Sequence, residues 1–334
     1  MEAVWFGAGV LLLLGVGIDA LWTTLWVDGH GGPWTRRHTT AVWWAMRRVA
    51  GRNHRALSLT GPVVLVLTVL NWAVLLWAGW VLLFSADPAA LVDPHTGARA
   101  TLVDRVYFTG YTMFTLGNGD FAPRGDVWKL ATSAASLSGL FFLTLSVTYL
   151  LAVLEAVVAK RSFAGQVRAL ARTPEEFVTR AWDGAGFPSA DLLLLSLTEQ
   201  LNHVTEQHTA YPLLHCYHEA NLEQSVPLAL AVFDDALTLF EGAVSPGLRP
   251  APGVLRTARG TVSTFLRTLQ SAYVQTAEHP PPPPRLAALA AAGIPTAGEG
   301  ELTTHLAGLQ DHRKLVLGFV NSEARDWPGN RDLD

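Results

Sequence analysis

The sequence predicts an all-α membrane protein, and three observations carry that prediction. Hydrophobic residues make up 50% of the 334-residue chain and charged residues only 16%, against about 25% charged in a typical soluble protein. The deficit is deepest in the first 160 residues, where three apolar runs are each long enough to cross a hydrocarbon core of about 30 Å. The remainder is polar, has helical periodicity and is divided by proline and glycine breaks, as in a water-soluble helical domain. A net charge of -4 without a basic tail offers nucleic acid no partner surface. The single cysteine, Cys216, excludes internal disulfides and fits a reducing compartment.

The first run, Ala3 to Val27, has no basic residue before it and no small-residue cleavage site after it, so it reads as a span rather than a signal peptide. Asp19 is its ionisable residue. An acid at that depth is either functional or structural, facing the interfacial layer or pairing with an arginine. Between Gly29 and Leu59 lie Arg36, Arg37, Arg47, Arg48, Arg52 and Arg55 and no acid, which marks this connection as cytoplasmic and the N-terminus as external. Val42, Trp43, Met46 and Val49 recur at helical spacing, predicting a helix over Thr39 to Val49 along the inner membrane face. These arginines are not a voltage sensor: they lack regular three-residue spacing inside an apolar span.

Gly61 to Phe84 is the second span, with Pro62 suited to its first turn. Asp87, Asp93 and Asp104 then outnumber Arg99 and Arg105 in a loop that belongs outside, where an acidic mouth concentrates cations or is simply solvated. Lys129 to Ala159 is the third span, closed by Lys160 and Arg161 on the cytoplasmic side. Among twelve tryptophans, Trp5, Trp22, Trp26, Trp43, Trp44, Trp80 and Trp128 lie near the ends of apolar runs and suit the headgroup zone. Trp72 and Trp77 lie inside a span and suit packing. The chain thus divides into residues 1–59, an N-terminal span with a basic helix; 60–160, a helix, loop and helix; and 161–334, a helical cytoplasmic domain.

Between the second and third spans stands Asp104 to Pro123, DRVYFTGYTMFTLGNGDFAP. Non-helical backbone between spans is tolerated only where it is buried in protein or lines a water-filled cavity, so this segment predicts a re-entrant loop. Val103 to Phe114 is long enough for about three helical turns, or about 18 Å, and the partial negative charge at its C-terminal end favours a cation. A narrow ion path needs carbonyls of successive residues aimed at one axis, which requires alternating backbone handedness. Gly117 and Gly119 supply it at every second position, and Asn118 also tolerates the left-handed region.

The run from Asp104 to Asp120 resembles the pore helix and selectivity filter of the tetrameric potassium channels, whose filter reads T-V-G-Y-G-D where this chain has T-L-G-N-G-D. With its flanking spans the resemblance covers Gly61 to Lys160. It implies a homotetramer embedded in lipid in a prokaryotic plasma membrane. It also implies a filter of Thr115, Leu116, Gly117, Asn118 and Gly119, whose Thr115 hydroxyl and backbone carbonyls replace the hydration shell of potassium ions. Asp120 is then a structural carboxylate behind the filter, and Tyr107 and Phe108 are bracing aromatics. The loop charges independently put this loop on the outer side, where filters of that family open. Asn118 replaces the family's usual tyrosine and is too short for the same span, so a sodium and potassium channel is the alternative. A membrane-anchored signalling scaffold with a closed loop is the rival from another class, and no enzymatic step is expected. Gly139 in the third span is either a gating hinge, as the resemblance implies, or a close-packing site. Glu155 either rings the inner mouth or pairs with Arg161 or with an arginine of the inner-face helix.

In the cytoplasmic part, Thr173-Pro174-Glu175-Glu176 reads as a capping box with proline in the first turn. Ser189 is predicted to cap a helix through Leu193, Leu197, Leu201 and Val204. Further helices are predicted over Leu214 to Gly242, Val254 to Ala277, Arg285 to Ala292 and Glu301 to Ala324, with Pro280 to Pro284 as a stiff linker. No G-x-G-x-x-G follows a strand and no alternating strands occur, so neither a dinucleotide-binding nor a cyclic-nucleotide domain is visible. His203, His208, His215, Cys216 and His218, with Glu219 and Glu223, form the densest set of candidate ligands. On a continuous helix His215, Glu219 and Glu223 would share a face, leaving three readings: interhelical bonding, pH sensing or a metal site.

Overall fold

The computed structural model describes residues 2–26, 31–51, 53–270 and 274–329. Val27, Arg52 and residues 271–273 of the predicted helix over Val254 to Ala277 lie outside them. Helix α1 (Glu2–Leu25) leads through α2 (Pro33–Ala50) and the short α3 (His54–Ser58) into α4 (Thr60–Ser85). Strands β1 (Leu91–Val92) and β2 (Ala122–Pro123) bracket α5 (Leu102–Met113), and α6 (Asp126–Leu170) follows. Then come α7 (Pro174–Ala181), α8 (Ala190–Ala210), α9 (Val226–Gly242), α10 (Pro252–Gln270), α11 (Leu286–Ala291), α12 (Glu299–Gly308) and α13 (Gln310–Ser322). Helices α1, α4 and α6 are long and apolar enough to cross a membrane, and the fold is that of an all-α membrane protein.

The chain packs as two units, residues 1–45 with 62–153 and residues 46–61 with 154–334. In the first unit Leu11, Leu14, Leu70, Val74, Leu137 and Phe141 are exposed, a surface that suits lipid or further copies rather than water. Among its buried polar groups Asp19 is the most fully engaged. Asp19 Oδ1 accepts from the backbone N–H groups of Trp34 at 2.8 Å and Thr35 at 3.3 Å, and Oδ2 accepts from Thr35 Oγ1 at 2.6 Å and Trp72 Nε1 at 2.9 Å. The first N–H groups of a helix have no partner within it. Asp19 supplies that partner for α2, so its role is structural and its partners are not arginines. With this cap and Pro33 in the first turn, α2 starts six residues before the predicted Thr39. A methyl group on Gly32 would lie 2.3 Å from Asp19 Oδ1, which ties glycine to that approach.

In the second unit α9 is buried at 16 of its 17 positions, as expected of a helix that is apolar on all sides. Helices α7, α10, α12 and α13 pack around it. The last third of α6 joins this core through Phe163, Ala164 and Val167. The predicted end of the third span at Ala159 therefore marks the end of the apolar run and not of the helix, whose 45 residues extend about 68 Å.

The predicted caps and breaks need correction in places. Thr173 caps α7 through the Glu176 N–H at 3.2 Å, but the Glu176 carboxylate turns back to the Arg172 N–H at 2.6 Å, one residue before the cap. Ser189 precedes α8 without making a capping bond. The predicted helix over Glu301 to Ala324 is two helices broken at Leu309. Pro280 to Pro284 is docked rather than a free linker, because Arg313 donates to the carbonyls of Pro281 at 3.1 Å and Pro282 at 2.8 Å while its other bonds go to Asp235.

Candidate functional site

Helix α5 starts at a capping box in which Thr101 Oγ1 accepts from the Asp104 N–H and Asp104 Oδ2 accepts from the Thr101 N–H. Its flank is held by α4: Trp77 Nε1 donates to the Val106 carbonyl at 3.0 Å, and a methyl on Gly110 would approach the Trp77 ring at 3.0 Å. Phe84 meets Phe108 edge-on at 5.3 Å. Against α6 the approach is closer still. A methyl on Gly139 would lie 2.2 Å from the Met113 carbonyl oxygen, and α6 runs unbroken through this position, so close packing accounts for Gly139. Trp80, expected in the headgroup zone, is buried instead and donates to Ser138 Oγ at 2.9 Å.

The loop after α5 is left-handed at every second residue: Thr115 has φ +59°, Gly117 +62° and Gly119 +82°. Two of these were legible as glycines. Thr115 was not, since a β-branched residue seldom adopts this region, and Asn118, which tolerates it, does not use it. The carbonyl of Tyr111 accepts from the N–H groups of Leu116 at 2.8 Å and Gly117 at 3.4 Å, so the loop itself satisfies part of the helix end predicted to face the cation. Phe114 to Asp120 are exposed in the single chain.

Tyr107 holds this loop from behind. Its hydroxyl accepts from Asn118 Nδ2 at 2.6 Å and donates to Asp120 Oδ2 at 2.8 Å. Asparagine therefore does reach a pore-helix aromatic, because the tyrosine hydroxyl lies on the helix side and supplies the missing length. Tyr111, overlooked in the sequence, latches the next residue: its hydroxyl donates to the Phe121 carbonyl at 3.0 Å and accepts from the Phe121 N–H at 3.3 Å. Pairing of β1 with β2, together with the bond from the Arg124 N–H to the Ala90 carbonyl, stitches the chain after the loop to the segment that follows α4. The predicted acidic mouth is largely spent on structure: Asp87 accepts from the Ala89 N–H and Trp128 Nε1, Asp93 from the N–H groups of His95 and Thr96, and Asp104 belongs to the cap. Glu155 is exposed, and Arg161, one of its predicted partners, bonds to Glu219 at 2.9 Å.

The histidine cluster disperses. A 3-10 turn at Pro212–Cys216, extended backbone and a second 3-10 turn at Leu222–Gln224 replace the first part of the predicted helix over Leu214 to Gly242, and Pro227 starts α9 afresh. His215, Glu219 and Glu223 therefore share no helical face. His203 is exposed beside Gln207. His208 is buried and donates to the Val204 carbonyl. Burial pushes the Cys216 thiol up to about 12, and Glu223 pairs with Arg168 and Arg172. Among the described residues no three or more His, Cys, Asp or Glu side chains gather as a metal site, so the metal reading of this cluster is withdrawn.

Residues 68–156, from within α4 to within α6, match the family described as "Ion channel". Over 321 residues the chain is 41% identical to "Uncharacterized membrane protein YdjJ" of Bacillus subtilis strain 168, an alignment covering 96% of this chain and 94% of that protein. No solved structure matches the chain. With near full-length similarity to the one and a match to the other spanning the whole re-entrant loop, the chain belongs to the YdjJ family of membrane proteins and carries an ion-channel domain.

Proposed function

We propose that the protein conducts potassium ions passively as a homotetramer, each copy lending one filter segment to a common axis. The observation that carries this reading is the left-handed backbone at Thr115, Gly117 and Gly119, directly after a helix that re-enters between two spans. Alternating handedness turns successive carbonyls to one side, as single-file passage between carbonyl sites requires. Thr115 to Gly119 would bind the ions and Asp120 would support them. Glu155 would ring the inner mouth, whereas hinge bending at Gly139 competes with the close approach to Met113. We assign residues 1–59 to an N-terminal span and basic helix, 60–160 to the pore module and 161–334 to a cytoplasmic domain. The N-terminus would then lie outside a prokaryotic plasma membrane.

Asn118 in place of tyrosine favours a second reading, a channel for sodium and potassium alike. The Tyr107 bridge to Asn118 and Asp120 supports the potassium reading, because it restores a bonded link between filter and helix. Reversal potentials of purified protein in bilayers under opposed sodium and potassium gradients decide between them. A reversal near the potassium equilibrium potential is expected, one near zero would establish the second reading, and absence of any current across voltage and pH would remove both.

A further inference from the structure

Three consecutive residues of the second unit, Tyr217, His218 and Glu219, hold the start of α4 and the point in α6 just past the end of its apolar run. The Tyr217 carbonyl accepts from Lys160 Nζ at 2.5 Å, and Glu219 Oε2 accepts from Arg161 Nε at 2.9 Å, so successive residues of α6 are tied down. The Tyr217 ring lies against Gly61 in the first turn of α4, where a methyl would come within 2.5 Å of a ring carbon. His218 reaches α3, directly before α4: its Nε2 lies 2.8 Å from His54 Nδ1, while its Nδ1 faces the Glu323 carboxylate, 2.8 Å from Oε2. The two imidazole planes are 11° from parallel with centroids 5.0 Å apart. That separation nearly equals the nitrogen-to-nitrogen distance plus two ring radii. The rings therefore meet edge to edge in one plane and share a hydrogen bond instead of stacking.

Proton counting makes this contact sensitive to pH. A neutral imidazole has one donor and one acceptor nitrogen, an imidazolium two donors. With His218 Nδ1–H committed to Glu323, a single proton lies between the two rings, and the pair holds at most one positive charge. A second protonation would set N–H against N–H, erase the bond and place two cations edge to edge. Burial pushes Glu323 up, but the His218 bond and the Lys160 charge outweigh it and hold its pKa at about 2. His208 and His215 are pulled down to about 3 and about 4, chiefly by burial. Around the pair stand Lys160 and Arg161 from α6, Arg325 and Glu219 beside the segment, and Arg47, whose charge reaches His215.

We propose that His54 and His218 form a proton-operated latch: the shared bond ties α3 and the first turn of α4 to the Tyr217–Glu219 segment, and a second protonation releases them while Lys160 and Arg161 keep α6 held. The consequence for conduction rests on the channel reading: current would depend on the pH bathing the helical unit. The test compares the full chain in lipid vesicles with His54→Gln, whose amide still donates to His218 but does not titrate. Hydrogen exchange of residues 54–61, corrected for intrinsic rates, is read at about pH 7.5 and about pH 5.5, and cation flux at the same values. Wild type is expected to lose protection about tenfold at the lower pH and to change its flux several-fold, with the variant flat in both. Equal protection at both pH values in wild type, or the same loss in His54→Gln, overturns the latch. Loss of protection with no flux at any pH upholds the latch and overturns the channel reading, and loss of protection with pH-independent flux overturns the link to conduction.

Discussion

The loop between α5 and β2 and the core around α9 both contain polar groups that bear on structure, but they are held in different ways. Around the loop the links are single bonds between uncharged partners or to one carboxylate: Trp77 to the Val106 carbonyl, Tyr107 to Asn118 and Asp120, Tyr111 to both backbone groups of Phe121. In the α9 core they are buried ion pairs. Asp234 meets Arg259 at 2.5 Å and His312 at 2.8 Å, Asp235 meets Arg313 in a two-pronged pair at 2.9 and 3.1 Å, and Glu241 meets Arg259 and His305. On the channel reading a formal charge beside the ion path acts on a permeating cation; Asp120 is the one carboxylate these links reach, and the neutral donors fix backbone position without adding a further field. The α9 core faces no such restriction. There, paired charges set which helices meet and at what register, provided that each retains its partner.

The largest effect that would test this contrast is on stability. Asp235→Ala strands the buried Arg313 guanidinium and should cost about 3–5 kcal/mol of folding free energy, seen as a lowered denaturation midpoint of the full chain in detergent. A change within error would mean that the pair is not what holds α13 and the proline strap to α9. Next, Gly139→Ala drives a methyl into the Met113 carbonyl, and overpacking of this kind costs about 1–3 kcal/mol. Because the strained partner is the end of α5, on the channel reading current per folded channel should fall at least about tenfold. Normal current would show that α5 yields without consequence for the filter.

Smaller in energy but sharper in meaning is Tyr107→Phe, which keeps the ring and deletes both hydroxyl bonds. Each is worth about 0.5–1.5 kcal/mol, so the potassium-to-sodium permeability ratio should drop by roughly tenfold while the thermal midpoint hardly moves. The reverse result, an unchanged ratio with lost stability, would make Tyr107 a structural residue. The smallest effect near neutrality is that of acid on the second unit. For both Asp234 and Glu323, burial raises the pKa. The charges of Arg259 and His312 around Asp234, and His218 and Lys160 around Glu323, outweigh it and hold each at about 2, below the ordinary carboxylate range. A lowered folded-state pKa contributes stability above the unfolded value and loses it as pH falls through the folded one. Burial that holds His208 and His215 at about 3 and about 4 adds a loss that begins earlier, as pH falls through their unfolded value of about 6.5, so the denaturation midpoint should start to fall near pH 6.5 and keep falling from about 4.5 towards 2.

Much of this architecture was open to reading in the chain itself, for reasons that differ by element. The spans were legible because burying a helix in hydrocarbon demands about 20 consecutive apolar residues, a signal that needs no knowledge of neighbours. The loop was legible because glycines at 117 and 119 sit where only a special backbone makes sense between two spans. The predicted helix over Leu214 to Gly242 was not, since its periodicity ran through a stretch whose side chains are committed elsewhere: Tyr217 to Gly61, His218 to His54 and Glu219 to Arg161. The reach of Asn118 was misjudged for a related reason, as side-chain length alone does not reveal a tyrosine one helix face away.

By itself the sequence determined which segments are long and apolar enough to enter the membrane, where the backbone reverses between them, and that the rest is helical, because each follows from local composition and spacing. Only the tertiary structure decided what Asp19 caps, why Gly139 is a glycine, how Tyr107 makes up for Asn118 and which histidines meet. Those answers depend on contacts between residues far apart in the chain, and such contacts are set by how helices pack and not by any periodicity within them.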